Sequence, residues 1–128
     1  MFSKEWVEKL AARWNSDPDM VEPLAKARFN SKIGFGYSEF ADPSVVLEVA
    51  EGKVVWAGTF DPARHSNLDW DLRANPEQWV KWRQEGLGFM ALGVAVSSKQ
   101  LEFRAGDYRK MIRNPDLAAP FLRVFTLL

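Results

Sequence analysis

The stretch LDWDLRANPEQWVKWRQEGLGFMALGVAVSSKQLEFRAGDY, residues 68–108, decides the fold. It opens on strict alternation: Leu68, Trp70 and Leu72 project to one side, and Asp69, Asp71 and Arg73 to the other. That period of two predicts a strand with one face in the core and one in water. Asn75-Pro76-Glu77 then supplies an N-cap, a proline at the first helical position and an acid in the first turn. Unpaired amides and the helix dipole favour all three, so a helix carrying Trp79, Val80 and Trp82 begins sharply there. Gly86 and Gly88 end it or bend it into the next segment. The run Phe89 to Val96 reads as a buried helix, with a strand left open by its glycine and valines. Leu101, Phe103 and Ala105 alternate again before Gly106, and Asp107 caps a helix through Met111 and Ile112.

Upstream, Ser3 caps a first helix whose Trp6, Val7, Leu10, Ala11 and Trp14 share one face. Asp17-Pro18 starts a short second helix through Met20, Val21 and Leu24, which Pro23 shortens or kinks. The period then changes. Phe29, Ser31, Ile33, Phe35 and Tyr37 lie on one side of an extended run whose other side Gly34 and Gly36 leave bare, so another layer can approach closely. Val45, Leu47 and Val49 form a strand that Glu51-Gly52 turns into Val54, Trp56, Gly58 and Phe60, which predicts an antiparallel hairpin. Downstream, Asp116 to Leu128 gives a last apolar helix beyond Pro115. Consecutive strands with helices gathered elsewhere predict an α+β fold: a mostly antiparallel five-stranded sheet with helices covering one face.

Composition narrows the function classes. The 128 residues are expected to form a single domain, residues 1–128, large enough to bury a substantial core. Basic and acidic side chains each number 17, so no general field attracts nucleic acid, and none is expected as a partner. The balance is uneven: residues 1–98 carry 11 basic and 14 acidic groups, and residues 99–128 carry 6 and 3. That tilt suits solvated helix charges and also a transient contact between the C-terminal part and an anionic membrane surface. With no cysteine, disulfides, thiolate metal sites and a cysteine nucleophile are excluded. Charges follow Met1 closely and no apolar segment approaches a bilayer span, so a soluble, cytoplasmic protein is expected.

Candidates for chemistry are few. His65 is the only histidine and reads as a lone surface residue in a connection, with no metal cluster and no cofactor expected. Asp69 and Asp71 share a strand face, as two carboxylates sharing a proton would, but alternation with Trp70 and Leu72 turns them from the core toward a solvated or salt-bridged row with Arg73. No catalytic set emerges. The glycine pairs lack a phosphate-loop lysine or a dinucleotide fingerprint and serve as backbone devices.

The Asp69-Trp70-Asp71-Leu72 strand, Asn75-Pro76-Glu77-Gln78-Trp79, the glycine-containing apolar run and Lys99-Gln100-Leu101-Glu102-Phe103-Arg104-Ala105-Gly106-Asp107 are similar, in order and spacing, to the sterol carrier protein type-two family. The amino-terminal helix with Trp6 and Leu10 also suits it. The resemblance implies one sheet of about five strands covered by helices, enclosing an elongated apolar tunnel for sterols, fatty acyl chains or other lipids, in a binding and transfer module without catalysis. Carried over by position, the tunnel would be walled by Phe35, Leu47, Trp70 and Phe103 from the strands and by Trp79, Trp82, Phe89, Met90 and Met111 from the helices. Phe121, Leu122 and Phe125 of the last helix would form its lid.

Two other classes compete. One is an enzyme of the cone-shaped fold of ketosteroid isomerases, which needs Asp69 or Asp71 to point inward as a base and closes on strands. The other is an accessory subunit whose tryptophan-rich groove docks a protein. For the carrier reading, an empty pocket of ~300 Å³ would cost about 7 kcal/mol at ~24 cal/mol per Å³, so a chamber of that size should hold a guest, water or mobile side chains.

Overall fold

The computed structural model describes every residue, 1–128. Helix α1 (Lys4–Asn15) starts where the Ser3 side chain accepts from the Trp6 amide, and α2 (Pro18–Lys26) where Asp17 accepts from the Asp19 amide. Strands β1 (Ser31–Tyr37), β2 (Val45–Ala50) and β3 (Lys53–Thr59) follow, then β4 (Trp70–Ala74), α3 (Pro76–Glu85), α4 (Phe89–Ser97), β5 (Glu102–Ala105), α5 (Tyr108–Arg113) and α6 (Pro115–Leu127). The sheet order is β3-β2-β1-β4-β5. Only β1 and β4 run parallel, so the α+β sheet is mostly antiparallel, as the pattern of elements predicts.

Local chemistry explains the joints. Glu51 and Gly52 both adopt positive φ, 48° and 85°, the mirror-image turn whose twist matches a two-residue hairpin. A side chain at Gly52 would also meet the Ala25 nitrogen at 2.6 Å, because α2 lies directly against the turn. Asn75 caps α3 through the Gln78 amide at 2.8 Å. The single residue Asn114 both ends α5 and caps α6, accepting from the Asp116 amide at 3.0 Å.

On the inner face of the sheet, Val45, Phe35, Leu72 and Phe103 stand in one row across β2, β1, β4 and β5, with Leu47, Ile33 and Trp70 in the next. Helix α1 packs over β2 and β3, and α6 touches α1, α2, α3 and α5, so the last helix is the hub of the covering layer. Two indoles tie the layers together. Trp14 of α1 donates to the Gly52 carbonyl at 2.9 Å, and Trp79 of α3 to the Gly36 carbonyl at 3.0 Å.

The outer face departs from expectation. Asp71 and Arg73 do form the salt-bridged row on the face away from the core, but they are buried, 9% and 0% exposed, instead of wet. The connection between β1 and β2 folds back over them: Arg73 binds both carboxylate oxygens of Asp71 at 2.7 and 3.0 Å and donates to the carbonyls of Phe40 at 2.7 Å and Ala41 at 3.1 Å. Gly34 and Gly36 do allow a close approach, and Pro43 of that connection is what approaches; a Cβ on Gly36 would meet the Pro43 Cα at 3.0 Å. Asp69 stays exposed and accepts from the Lys32 amide.

His65 is also buried, at 2% exposure, rather than on the surface. Its Nδ1 accepts from the Asp61 amide at 3.0 Å, which leaves Nε2 to donate to Glu48 Oε2 at 3.2 Å. Trp56 and Phe60 flank the ring, and Arg64 covers Trp56 while pairing with Glu48 at 2.6 Å. The Arg64 hydrogen bond, aided by His65, holds the Glu48 carboxyl below its ordinary range against the opposing effect of burial. This cluster pins the β3–β4 connection to β2. The Phe89 to Val96 run is a helix, as one of its two readings has it, but it buries only Leu92 and Ala95 completely.

Candidate functional site

The inner face of β1 and β4 and the helices above it line a partly open apolar cavity. Ile33, Phe35, Trp70 and Leu72 form its floor, and Trp14, Met20, Leu24 and Phe29 close the side toward α1 and α2. Met111 of α5 and Leu117, Pro120, Phe121 and Val124 of α6 form the roof. No lining residue is charged. The geometry follows from local sequence: period-two strands aim Phe35 and Leu72 at the same layer, while Leu117, Phe121 and Val124 recur at helical spacing on the underside of α6.

The cavity holds about 40 Å³. At roughly 24 cal/mol per Å³, leaving that space empty costs about 1 kcal/mol, which a folded domain tolerates. Pockets that take drug-sized ligands measure roughly 300–1,000 Å³, so a guest of that size would have to displace the walls.

Both helices facing the cavity across its width carry an internal proline. Pro23 in α2 and Pro120 in α6 each remove an amide, leaving the carbonyls of Asp19 and Asp116 without their helical donors. Polar contacts at the rim hold the roof down. Arg123 of α6 grips Asp17 at 2.5 and 3.2 Å, Arg13 of α1 donates to the Leu127 carbonyl at 2.9 Å, and Lys26 approaches Asp116 at 4.0 Å. The Arg123 hydrogen bond holds the Asp17 carboxyl below its ordinary range, overriding burial.

Of the residues assigned from sequence, Phe35, Trp70, Met111 and Phe121 meet at this cavity. Phe103 lies one ring behind, 6.2 Å from Trp70 and 5.7 Å from Phe121 between centroids. Trp79, Trp82 and Phe125 instead form their own packed cluster, with centroids 5.5 to 6.0 Å apart. Leu47 is buried on the inner sheet face, and Leu122 packs half-buried against the core. Phe89 and Met90 stand in solvent on α4. Sequence reasoning passed over the contribution of α2, Met20 and Leu24; the apolar face of that helix was visible, but nothing local says which strands it covers.

No protein-family model and no curated protein matches the sequence. Solved structures do. Sterol carrier protein 2 superposes with a TM-score of 0.68 at 16% identity, covering 98% of this chain and 96% of that one. The conserved hypothetical protein TT1886 of Thermus thermophilus, for which sterol carrier protein is the suggested identity, gives 0.65 at 16% identity over 98% and 87%. The ubiquinone synthesis protein UbiJ-SCP2 gives 0.62 at 15% identity over 94% and 85%. The chain therefore has the sterol carrier protein fold, and the resemblance seen in the sequence holds at that level.

Proposed function

We propose that this protein binds and transfers an apolar small molecule, a fatty acyl chain or a sterol-like compound, in a space between β1, β4 and the α2, α5 and α6 helices. The carrying observation is the cavity itself, walled only by hydrocarbon, indole, phenyl and thioether groups. Burial of an apolar guest there is favoured by roughly 25 cal/mol per Å² removed from water, with no charged wall to desolvate. Loading widens the cavity: the six-residue α5 and proline-bearing α6 shift outward about Asn114, drawing Phe125 away from Trp79, which stays seated on β1 through its bond to the Gly36 carbonyl. The likeness to two proteins named for sterol carriage supports the reading.

Proton-transfer chemistry gains nothing from this geometry. Asp71 is committed to Arg73 on the opposite sheet face, and Asp69 faces solvent near Lys32. Native mass spectrometry of protein incubated with oleate and with cholesterol, together with melting curves, tests the proposal. A one-to-one adduct and a rise in melting temperature that grows with ligand concentration are expected. No adduct and no shift across acyl chains and sterols would overturn it.

A further inference from the structure

Helix α4 exposes its apolar side chains. Phe89, Met90 and Val94 are 56%, 83% and 63% exposed, and the 13 residues from Gly86 to Ser98 carry no charge. The helix shares no extensive contact with any other helix or strand. Its first turn lacks a side-chain cap, because Gly88 occupies the N-cap position, and also lacks an acid. Nine residues so weakly supported are marginal as a helix in water.

Unpaired cations lie beside this greasy face. Lys99, at φ 63°, terminates α4 with its amide on the Val96 carbonyl. Tyr108, which begins α5, reaches α4 so closely that a Cβ on Gly93 would sit 3.6 Å from its hydroxyl, and Arg109 and Lys110 come next. Lys99, Arg109, Lys110 and Arg113 are exposed and none has a carboxylate within 4.0 Å. An apolar helix face bordered by free cations is the composition that rests in the interface of an anionic bilayer.

We propose that α4 and the basic start of α5 form a docking face for an anionic membrane surface, with Phe89, Met90 and Val94 entering the acyl boundary and Lys99, Arg109 and Lys110 meeting lipid phosphates. A second copy of the chain is a poorer occupant. Even a large aromatic side chain presents only about 150–250 Å², so three partly exposed ones fall short of the roughly 800 Å² per partner in a stable dimer. Helix α1 is not available for the task, since Val7, Leu10 and Trp14 are buried. The inference goes beyond the ligand reading and does not require a loaded cavity.

Co-sedimentation with vesicles of phosphatidylcholine and phosphatidylglycerol at a ratio of about 70:30, compared with pure phosphatidylcholine, tests it. Wild type should bind the anionic vesicles at least about tenfold more tightly, and about 0.5 M salt should remove most of that preference. Met90→Asp with Val94→Asp should weaken binding about tenfold or more, and Arg109→Glu with Lys110→Glu should abolish the anionic preference, with melting temperature and oleate binding unchanged. Should the double aspartate variant fold poorly, Met90→Ser at the most exposed position must show a weakening of severalfold. Failure of wild type to bind anionic vesicles, or equal binding by the variants, overturns the inference, as does a concentration-dependent dimer lost in the variants without vesicle binding. Oleate binding is read separately, so failure of the docking face leaves the cavity proposal standing and the converse also holds.

Discussion

Arg123 of α6 holds Asp17, the N-cap of α2, through two contacts, Nε to Oδ2 at 2.5 Å and Nη2 to Oδ1 at 3.2 Å. The residues are 106 positions apart in sequence and join the roof of the cavity to one of its walls. Asp17 thereby does two jobs, since the same carboxylate satisfies the Asp19 amide at the start of α2.

Releasing that clasp should quicken ligand exchange more than it lowers stability. Partly exposed ion pairs contribute about 0–1 kcal/mol, so Arg123→Gln should lower the melting temperature by a few degrees at most. Stopped-flow release of a fluorescent fatty acid should nevertheless accelerate severalfold. Unchanged rates would mean that α6 is not the moving roof.

Acid should loosen the protein at two identifiable points. Asp17 and Glu48 both have folded pKa values below their ordinary ones, chiefly through hydrogen bonds from Arg123 and Arg64. Such groups bind fewer protons folded than unfolded, so their contribution is full above the unfolded carboxylate pKa and is lost as pH falls through the depressed folded values. Melting curves between about pH 7 and pH 3 should decline steeply below about pH 5, and Asp17→Asn with Glu48→Gln should flatten that decline. An identical slope in the variant would refute the assignment.

The Arg73–Asp71 pair, sealed beneath Phe40 and Ala41, should be costly to break on one side. Arg73→Met strands a buried carboxylate and leaves the Ala41 carbonyl short of a donor, while the Phe40 carbonyl keeps its bond from Arg104, so urea unfolding should show a loss of about 3–5 kcal/mol. Combining it with Asp71→Leu should recover much of the loss. A double variant no better than the single one would show that anchoring the β1–β2 connection matters more than the stranded charge.

Filling the cavity should separate stability from binding. Val124→Phe places a ring in the empty space, and its cost should stay within the roughly 1–3 kcal/mol typical of overpacking. The rise in melting temperature with oleate should disappear. Retention of the full ligand response would place the guest elsewhere.

Much of this architecture was legible in the sequence because the signals are local. Asn75-Pro76 announces α3, Glu51-Gly52 announces the hairpin, and alternation in Trp70 to Arg73 assigns sides of the sheet correctly. What alternation cannot reveal is what lies over each side: residues 38–44 return across Gly34 and Gly36 and bury Asp71 and Arg73, a contact between segments about 30 positions apart. The burial of His65 is hidden from the sequence for the same reason, since its partners Glu48 and Trp56 come from the preceding hairpin. Within the candidate site, the aromatic wealth of the chain was plain, but its division between cavity walls and the packed Trp79–Trp82–Phe125 cluster depends on the seating of α6. The exposure of α4 ran against its composition: hydropathy alone argued for burial, and too little of the fold surrounds it.

Methionine methyl NMR offers the most direct test of a ligand chamber, because two reporters sit in its wall and one stands far out in solvent. Met20 and Met111 line the cavity, whereas Met90 is 83% exposed on α4. Titration with oleate, below the concentration at which it self-associates, should shift the Met20 and Met111 methyl signals saturably and together, with Met90 unmoved. Signals from Met20 and Met111 that stay fixed while oleate or cholesterol is added to excess, or a response confined to Met90, would contradict the chamber.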